Sequence, residues 1–186
     1  MKNKKIAVIT LDGGAGKTAV AYSIARDLDY YLISNDDSVI EQAYPERAKI
    51  MQNPKIIDDV VYDFGGFVDA GVIDVIKECD LIIVPVINDI NSKMKAIKTI
   101  KQLSKYNKNF LLVATRLEAK NDFAEIKESF PNIDALPLRK TKLFKNALEF
   151  GQSPLDLEEE SKLTAYSQRK ILAEYKDLLN YIKGTK

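Results

Sequence analysis

Six consecutive residues, Gly13-Gly14-Ala15-Gly16-Lys17-Thr18, combine the groups that hold a polyphosphate. Glycines let successive backbone N–H groups turn inward and approach an anion closely. Lys17 supplies positive charge for the outer phosphates, and the Thr18 hydroxyl is a hard oxygen donor suited to Mg²⁺. Ala19 is grouped with them as the next backbone position on the ligand. The usual spacing places another glycine at position 11, where this chain has Leu11, so the strict pattern fails at its first place. The competing reading is a glycine-rich turn that only joins a strand to a helix.

Two acidic positions could complete such a site. Asp63 closes the apolar run Val60-Val61-Tyr62 and precedes Phe64-Gly65-Gly66. A carboxylate at a strand end can hold Mg²⁺ directly or through water, and the glycines suit a loop that moves with the terminal phosphate. An ordinary Asp before a turn reads the same way. The second position is the stretch Ser34-Asn35-Asp36-Asp37-Ser38, again after an apolar run. One of its two carboxylates can orient an attacking water, but Asn, Asp and Ser are equally favoured as helix N-caps.

The elements that must position these groups follow from hydrophobic periodicity. Lys5–Leu11 reads as a buried strand and Lys17–Leu28 as a helix, so the glycine loop joins strand to helix and the helix N-terminus aims at the same anion. Strands are predicted at 31–34, 59–62, 81–86, 110–114 and 133–138, with an irregular or helical stretch to about Met51. Helices are predicted at 68–78, 91–105, 123–130 and 142–150, the second with apolar positions at Met94, Ile97, Ile100 and Leu103. A single long amphipathic helix is predicted over 159–182. Near-continuous apolar strands alternating with helices predict a three-layer α/β fold, a mostly parallel twisted sheet with helices on both faces. No linker or repeat divides the chain, so residues 1–186 are expected to form one P-loop domain.

Composition narrows the function classes. Twenty-eight Lys and Arg against 27 Asp and Glu leave a formal charge of +1, which favours no nucleic-acid or membrane partner globally. With no histidine and only Cys79 among the cysteines, zinc clusters and an internal disulfide are not expected, and a reducing cytoplasmic setting is. The apolar run Ile6–Leu11 is too short for a signal peptide, and no run is long enough to span a bilayer. Arg139, Lys140, Lys142 and Lys145 form a basic cluster that reads either as a phosphate-binding patch or as a solvated helix face.

Taken together, these motifs resemble the ParA/MinD family of deviant P-loop ATPases over most of the chain. Residues 4–20 (KKIAVITLDGGAGKTAV) are similar to the family's strand and loop, and 31–38 (YLISNDDS) occupy the place of its hydrophobic run ending Asp-x-Asp-Pro-Gln. Residues 59–66 (DVVYDFGG), 79–86 (CDLIIVPV) and 136–155 (LPLRKTKLFKNALEFGQSPL) match later family segments. The resemblance implies ATP and Mg²⁺ as cofactors, Lys17 and Asp36 as residues tied to hydrolysis, and Thr18 and Asp63 on the metal. It also implies a nucleotide-dependent dimer, an adaptor or centromere-binding protein and non-specific DNA as partners, in plasmid partition or positioning. The amphipathic C-terminal stretch is mixed in charge, so no membrane role is expected. The loop begins near residue 11, so no N-terminal DNA-binding extension is expected either.

The departures from the family pattern are specific. The family's signature lysine before Gly-Gly, which reaches a partner's phosphates across the dimer, is replaced by Asp12. Two like charges at ~5 Å and an effective dielectric of ~20 repel by roughly 3 kcal/mol, so Asp12 must point away, act through metal or water, or weaken that dimer. Slow hydrolysis or a different self-association is therefore expected. Ser34 replaces the first aspartate of the second motif, and Thr115 stands where many relatives carry Asn. Other classes remain open: a nucleotide-binding module without turnover, or a dethiobiotin-synthetase-like ligase or small-molecule kinase on the same fold. No Asn-Lys-x-Asp guanine motif follows the strand at 110–114.

Overall fold

The computed structural model describes residues 3–65 and 70–185. Its strands are β1 Lys5–Ile9, β2 Tyr31–Ser34, β3 Ala48–Ile50, β4 Val60–Phe64, β5 Leu81–Val86, β6 Phe110–Leu117 and β7 Asp134–Arg139. The helices are α1 Lys17–Leu28, α2 Ile40–Ala43, α3 Ala70–Glu78, α4 Ile90–Leu103 and α5 Asp122–Ser129. They continue with α6 Leu143–Phe150, α7 Pro154–Glu160, α8 Lys162–Ser167 and α9 Arg169–Gly184. The strands form one sheet in the order β3-β2-β4-β1-β5-β6-β7. Every pairing is parallel, as the continuous apolar strands required.

Alternate residues along each strand face opposite layers. Ile6, Val8, Leu32, Val61, Ile83 and Leu111 pack with α1, α6 and α9. Ala7, Ile9, Ile33, Tyr62, Ile82 and Leu112 pack with α3, α4 and α5 on the other side. The connection after β1 runs to β2 on one side, and β5 adds on the other, so β1 stands at the switch point of the sheet. Ligands bind at such points, beyond the carboxyl ends of the strands.

The structure differs from the sequence reading in three places. The stretch before Met51 contains a short strand, β3, paired to β2 through Leu32 with Ala48 and Ser34 with Ile50. Its three residues are too few to show a period of two. The predicted helix over 159–182 is divided into the end of α7, α8 and α9. Ser161 causes the first break: its backbone is extended and its side chain accepts from the Thr164 N–H, starting a new helix. β6 runs three residues past Ala114 through a register irregularity that puts Arg116 at φ 55°. The first two residues of the helix predicted at 68–78 lie outside the described residues, as does Gly66.

The C-terminal helix is tied to the start of the sheet. The buried Lys4 ammonium donates to the carbonyls of Ile182, at 2.7 Å, and Thr185, neutralising the negative end of α9. Tyr175 of α9 is fully buried and donates to Asp27 of α1 at 2.7 Å, so the helix after the glycine loop is fastened at its far end. Cys79 packs in the core, and burial pushes its thiol up to about 12, which leaves it unreactive. Among the described residues no helix is long and apolar enough to cross a membrane.

Candidate functional site

The glycine loop leaves the end of β1 and enters α1 through Gly16, at φ 79° and ψ 25°. That left-handed conformation explains the glycine at this position. No side chain caps α1, so its first N–H groups face the loop's interior. At Gly13 a Cβ would meet no atom of the described residues within 4 Å, so their packing does not demand glycine there. The Lys17 ammonium curls back over the loop and donates to the Asp12 carbonyl at 3.4 Å.

Beneath the loop lies Asp63. It is the fourth residue of β4, paired in register with Val8 of β1 and Ser34 of β2, so the sheet holds it at the mouth of the switch point. Its exposure is 1%, and neither carboxylate oxygen has a hydrogen-bond partner among the described residues. Burial pushes its pKa up to about 6. The Thr18 hydroxyl and the Lys17 charge pull it down but do not outweigh burial, and Asp36 pushes it up further. The Thr18 hydroxyl is near enough to act on the carboxylate without making a bond of normal geometry to it.

The 34–38 stretch does not cap a helix. The residue before α2 is Val39, which makes no side-chain cap. Instead the Ser34 hydroxyl accepts from the Asp36 N–H and donates to the Asp36 carbonyl, both at 3.1 Å. Asn35 crosses to the other acidic loop, accepting from the Gly65 N–H at 2.7 Å. The exposed Asp36 lies directly over Gly65, where an added Cβ would stand 3.3 Å from a carboxylate oxygen. The loops after β2 and β4 are thus joined by a contact that sequence reasoning missed, since nothing local in Asn35 announces it.

Asp12 does not face the open cleft. It is 13% exposed; its carboxylate accepts from the Gly14 N–H at 3.2 Å and pairs with Lys95 of α4 at 3.5 Å. Burial alone would raise its pKa, but the Ser92 hydroxyl, the Gly14 N–H and Lys95 together hold it below the usual carboxylate range. Of the outcomes expected from sequence, the one visible in the single chain is a side chain turned away, folded back on its own loop. Thr115 is likewise committed: its hydroxyl donates to the Ala15 carbonyl at 3.0 Å and lies 3.5 Å from that of Val86. It braces the loop from β6.

Beside the loop a cavity of about 110 Å³ is lined by Ala19, Val20, Leu138 and Phe144, with Thr115 and Arg116 at one side. Ala15, Gly16 and Ala19 of the loop therefore border both a polar cradle and an apolar wall. The basic cluster is largely neutralised. Arg139 pairs with Glu174 at 2.8 Å, Lys140 with Glu118 at 2.8 Å and Lys145 with Glu149 at 3.2 Å, while Lys142 is exposed at the start of α6. The solvated-face reading describes these residues better than a bare cationic patch.

The architecture matches solved proteins along nearly its whole length. The septum site-determining protein MinD of Pyrococcus horikoshii, solved with Mg-ADP, superposes with a TM-score of 0.73 over 97% of each chain at 10% identity. The fold is that of the ParA/MinD ATPases. Apo McdA of Cyanothece gives a TM-score of 0.70 over 93% of this chain and 96% of McdA, at 12% identity. A Borrelia burgdorferi protein named for plasmid partition and bound to AMPPNP gives 0.66 over 95% and 99%, at 14% identity. No protein-family model and no curated protein matches the sequence. The ParA/MinD fold expected from the motifs is thus present, with the glycine loop at its switch point.

The residue types fit Mg²⁺. Asp63 offers two unpaired oxygens and Thr18 a hydroxyl, all hard donors. No group of three or more His, Cys, Asp or Glu capable of holding a metal exists among the described residues.

Proposed function

We propose that this chain is a member of the ParA/MinD family: a nucleotide-switch ATPase that binds ATP with Mg²⁺ and acts in plasmid partition or DNA positioning in the cytoplasm. The observation that carries the reading is the buried, unpartnered Asp63 beneath a glycine loop that presents Lys17 and Thr18. An ionised carboxylate left so in the interior is costly unless a cation completes it. The open space at Gly13 supports a polyphosphate lying against the backbone there. The apolar cavity beside Ala19 supports a stacked base, with Phe144, Leu138 and Val20 as its wall.

In this reading the backbone of Gly13, Gly14, Ala15, Gly16, Lys17, Thr18 and Ala19 cradles the phosphates, and the Lys17 ammonium balances their outer charge. Thr18 and Asp63 hold the metal. Mg²⁺ bound there supplies charge neutralisation for the transferred phosphoryl group. Water attacks the γ-phosphorus as the bond to the β-phosphate oxygen breaks, giving ADP and phosphate and releasing a proton to solvent. Asp36, poised over Gly65, orients that water. Because Asn35 bonds Gly65, loss of the γ-phosphate would be felt by both loops, which suits a switch that changes self-association, DNA affinity and adaptor binding.

The reading is tested by calorimetric titration of ATP with and without Mg²⁺ on wild type and Lys17→Ala. Affinity that depends on Mg²⁺ and drops at least about hundredfold in the variant supports it, as expected for lost charge-assisted phosphate bonds. Turnover measured with and without DNA, and sedimentation with ATP, ADP and a non-hydrolysable analogue, then separate a DNA-stimulated switch from a passive binder. A second reading, nucleotide binding with little hydrolysis, is favoured by Asp12 and by Ser34, which is buried and bonded to the Asp36 backbone.

A further inference from the structure

The phosphate loop contains one lysine, yet the structure brings two to it. Lys95 comes from α4, and its position follows from the face that helix turns inward. Ser92, Ala96, Thr99 and Leu103 are buried, whereas Met94 and Ile97 are about half exposed. A stripe of small and hydroxyl residues lets a helix lie close against backbone, and here the backbone is the start of the glycine loop. Thr99 accepts from the Leu11 N–H at 3.3 Å while donating to the Lys95 carbonyl at 2.9 Å, so the turn bearing Lys95 is fixed to the loop.

From that turn the Lys95 ammonium reaches Asp12 at 3.5 Å, on the same carboxylate oxygen that accepts the Gly14 N–H. Lys17 meets Asp12 from the other side, at its carbonyl. The carboxylate therefore engages a loop amide and an ammonium beside the Ser92 hydroxyl, which is the company a phosphate oxygen takes. Lys95 is 44% exposed and keeps donors that the single contact does not use.

We propose that Lys95 is a phosphate-binding residue of this site, held at the loop by Asp12 and shared with the terminal phosphate of a bound triphosphate. This rests on the nucleotide-binding reading above and deepens it: a second cation acts in cis, and it favours triphosphate over diphosphate. The triphosphate presents more charge to the ammonium than the carboxylate does, so Lys95 can bridge the two while Asp12 remains neutralised.

The test is titration of Mg-AMPPNP and Mg-ADP on wild type, Lys95→Met, Lys95→Arg and Lys17→Ala, with thermal melting to verify folding. Lys95→Met should weaken AMPPNP about tenfold and leave ADP within about twofold, the size of one charge-assisted contact. Lys95→Arg should restore most of the difference. Equal weakening of both nucleotides by Lys95→Met, or no change in either, overturns the proposal. If wild type binds neither nucleotide, or Lys17→Ala binds both as wild type does, the nucleotide reading itself fails and this proposal with it.

Discussion

Asp12 and Asp63 are both felt by Lys17, one through its carbonyl and one through its charge, yet their surroundings are opposite. Asp12 sits where a family resemblance leads one to expect a cation, and the fold answers it with Lys95, the Gly14 N–H and the Ser92 hydroxyl. Asp63 sits where the resemblance leads one to expect a metal-linked acid, and both its oxygens are without a hydrogen-bond partner among the described residues. A carboxylate whose partners are all internal belongs to the loop's own architecture. One buried without them is the group to which the proposed reading assigns an external cation. The difference shows in their titration, Asp12 below the usual range and Asp63 raised to about 6.

The sharpest way to break this contrast is Asp63→Asn. If the side chain serves a metal, the substitution should lower Mg-ATP affinity about hundredfold while hardly changing metal-free nucleotide binding, read by titration with and without a chelator. The same variant isolates the cost of the buried charge. A folded-state pKa of about 6 against an ordinary value of 3.8 makes the ionised form unfavourable in the native protein. The penalty is fully present above pH 6 and is relieved as pH falls toward 4. Without Mg²⁺, the stability of wild type relative to Asp63→Asn should therefore rise by roughly 2–3 kcal/mol between pH 7.5 and 4, measured by urea unfolding.

A smaller effect is expected from Asn35→Ala, which removes the acceptor of the Gly65 N–H beside Asp63. It should cost about 1 kcal/mol of stability and slow turnover more than it weakens binding, because it unlinks the two acidic loops. The smallest belongs to Asp12→Asn. The amide keeps an acceptor for Gly14 and loses only the pair with half-exposed Lys95, so destabilisation at pH 7 should stay below about 1 kcal/mol. Its sign with pH is the reverse of the Asp63 case. A lowered pKa stabilises above the unfolded value and is lost as pH falls through the folded one, so wild type and Asp12→Asn should converge in acid.

Local pattern carried the glycine loop, the strand before it, the helix after it and the strand-end position of Asp63, because each depends on residues adjacent in the chain. It also carried the parallel sheet, since strands buried on both faces must be apolar throughout. Chain-local reading was insufficient where a short-range choice competed with a distant one. Ser161 broke the predicted long helix by capping a new one, and three-residue β3 was too brief to show a period. In α4 the apolar residues invited a buried Met94 and Ile97, but the helix turned its small and hydroxyl stripe inward; that stripe, Ser92, Ala96 and Thr99 at helical spacing, was the signal available in the sequence.

The sequence by itself determined where the glycine loop, its lysine and the apolar strands lie, because glycine conformation, lysine charge and strand hydrophobicity are properties of residues and their neighbours. Only the tertiary structure decided which carboxylate is satisfied. Lys95 lies 83 positions from Asp12, and Asn35 lies 30 from Gly65. Partnership across such spans is set by how the helices and loops dock on the sheet, and with it the burial that raises the pKa of Asp63 and the contacts that lower that of Asp12.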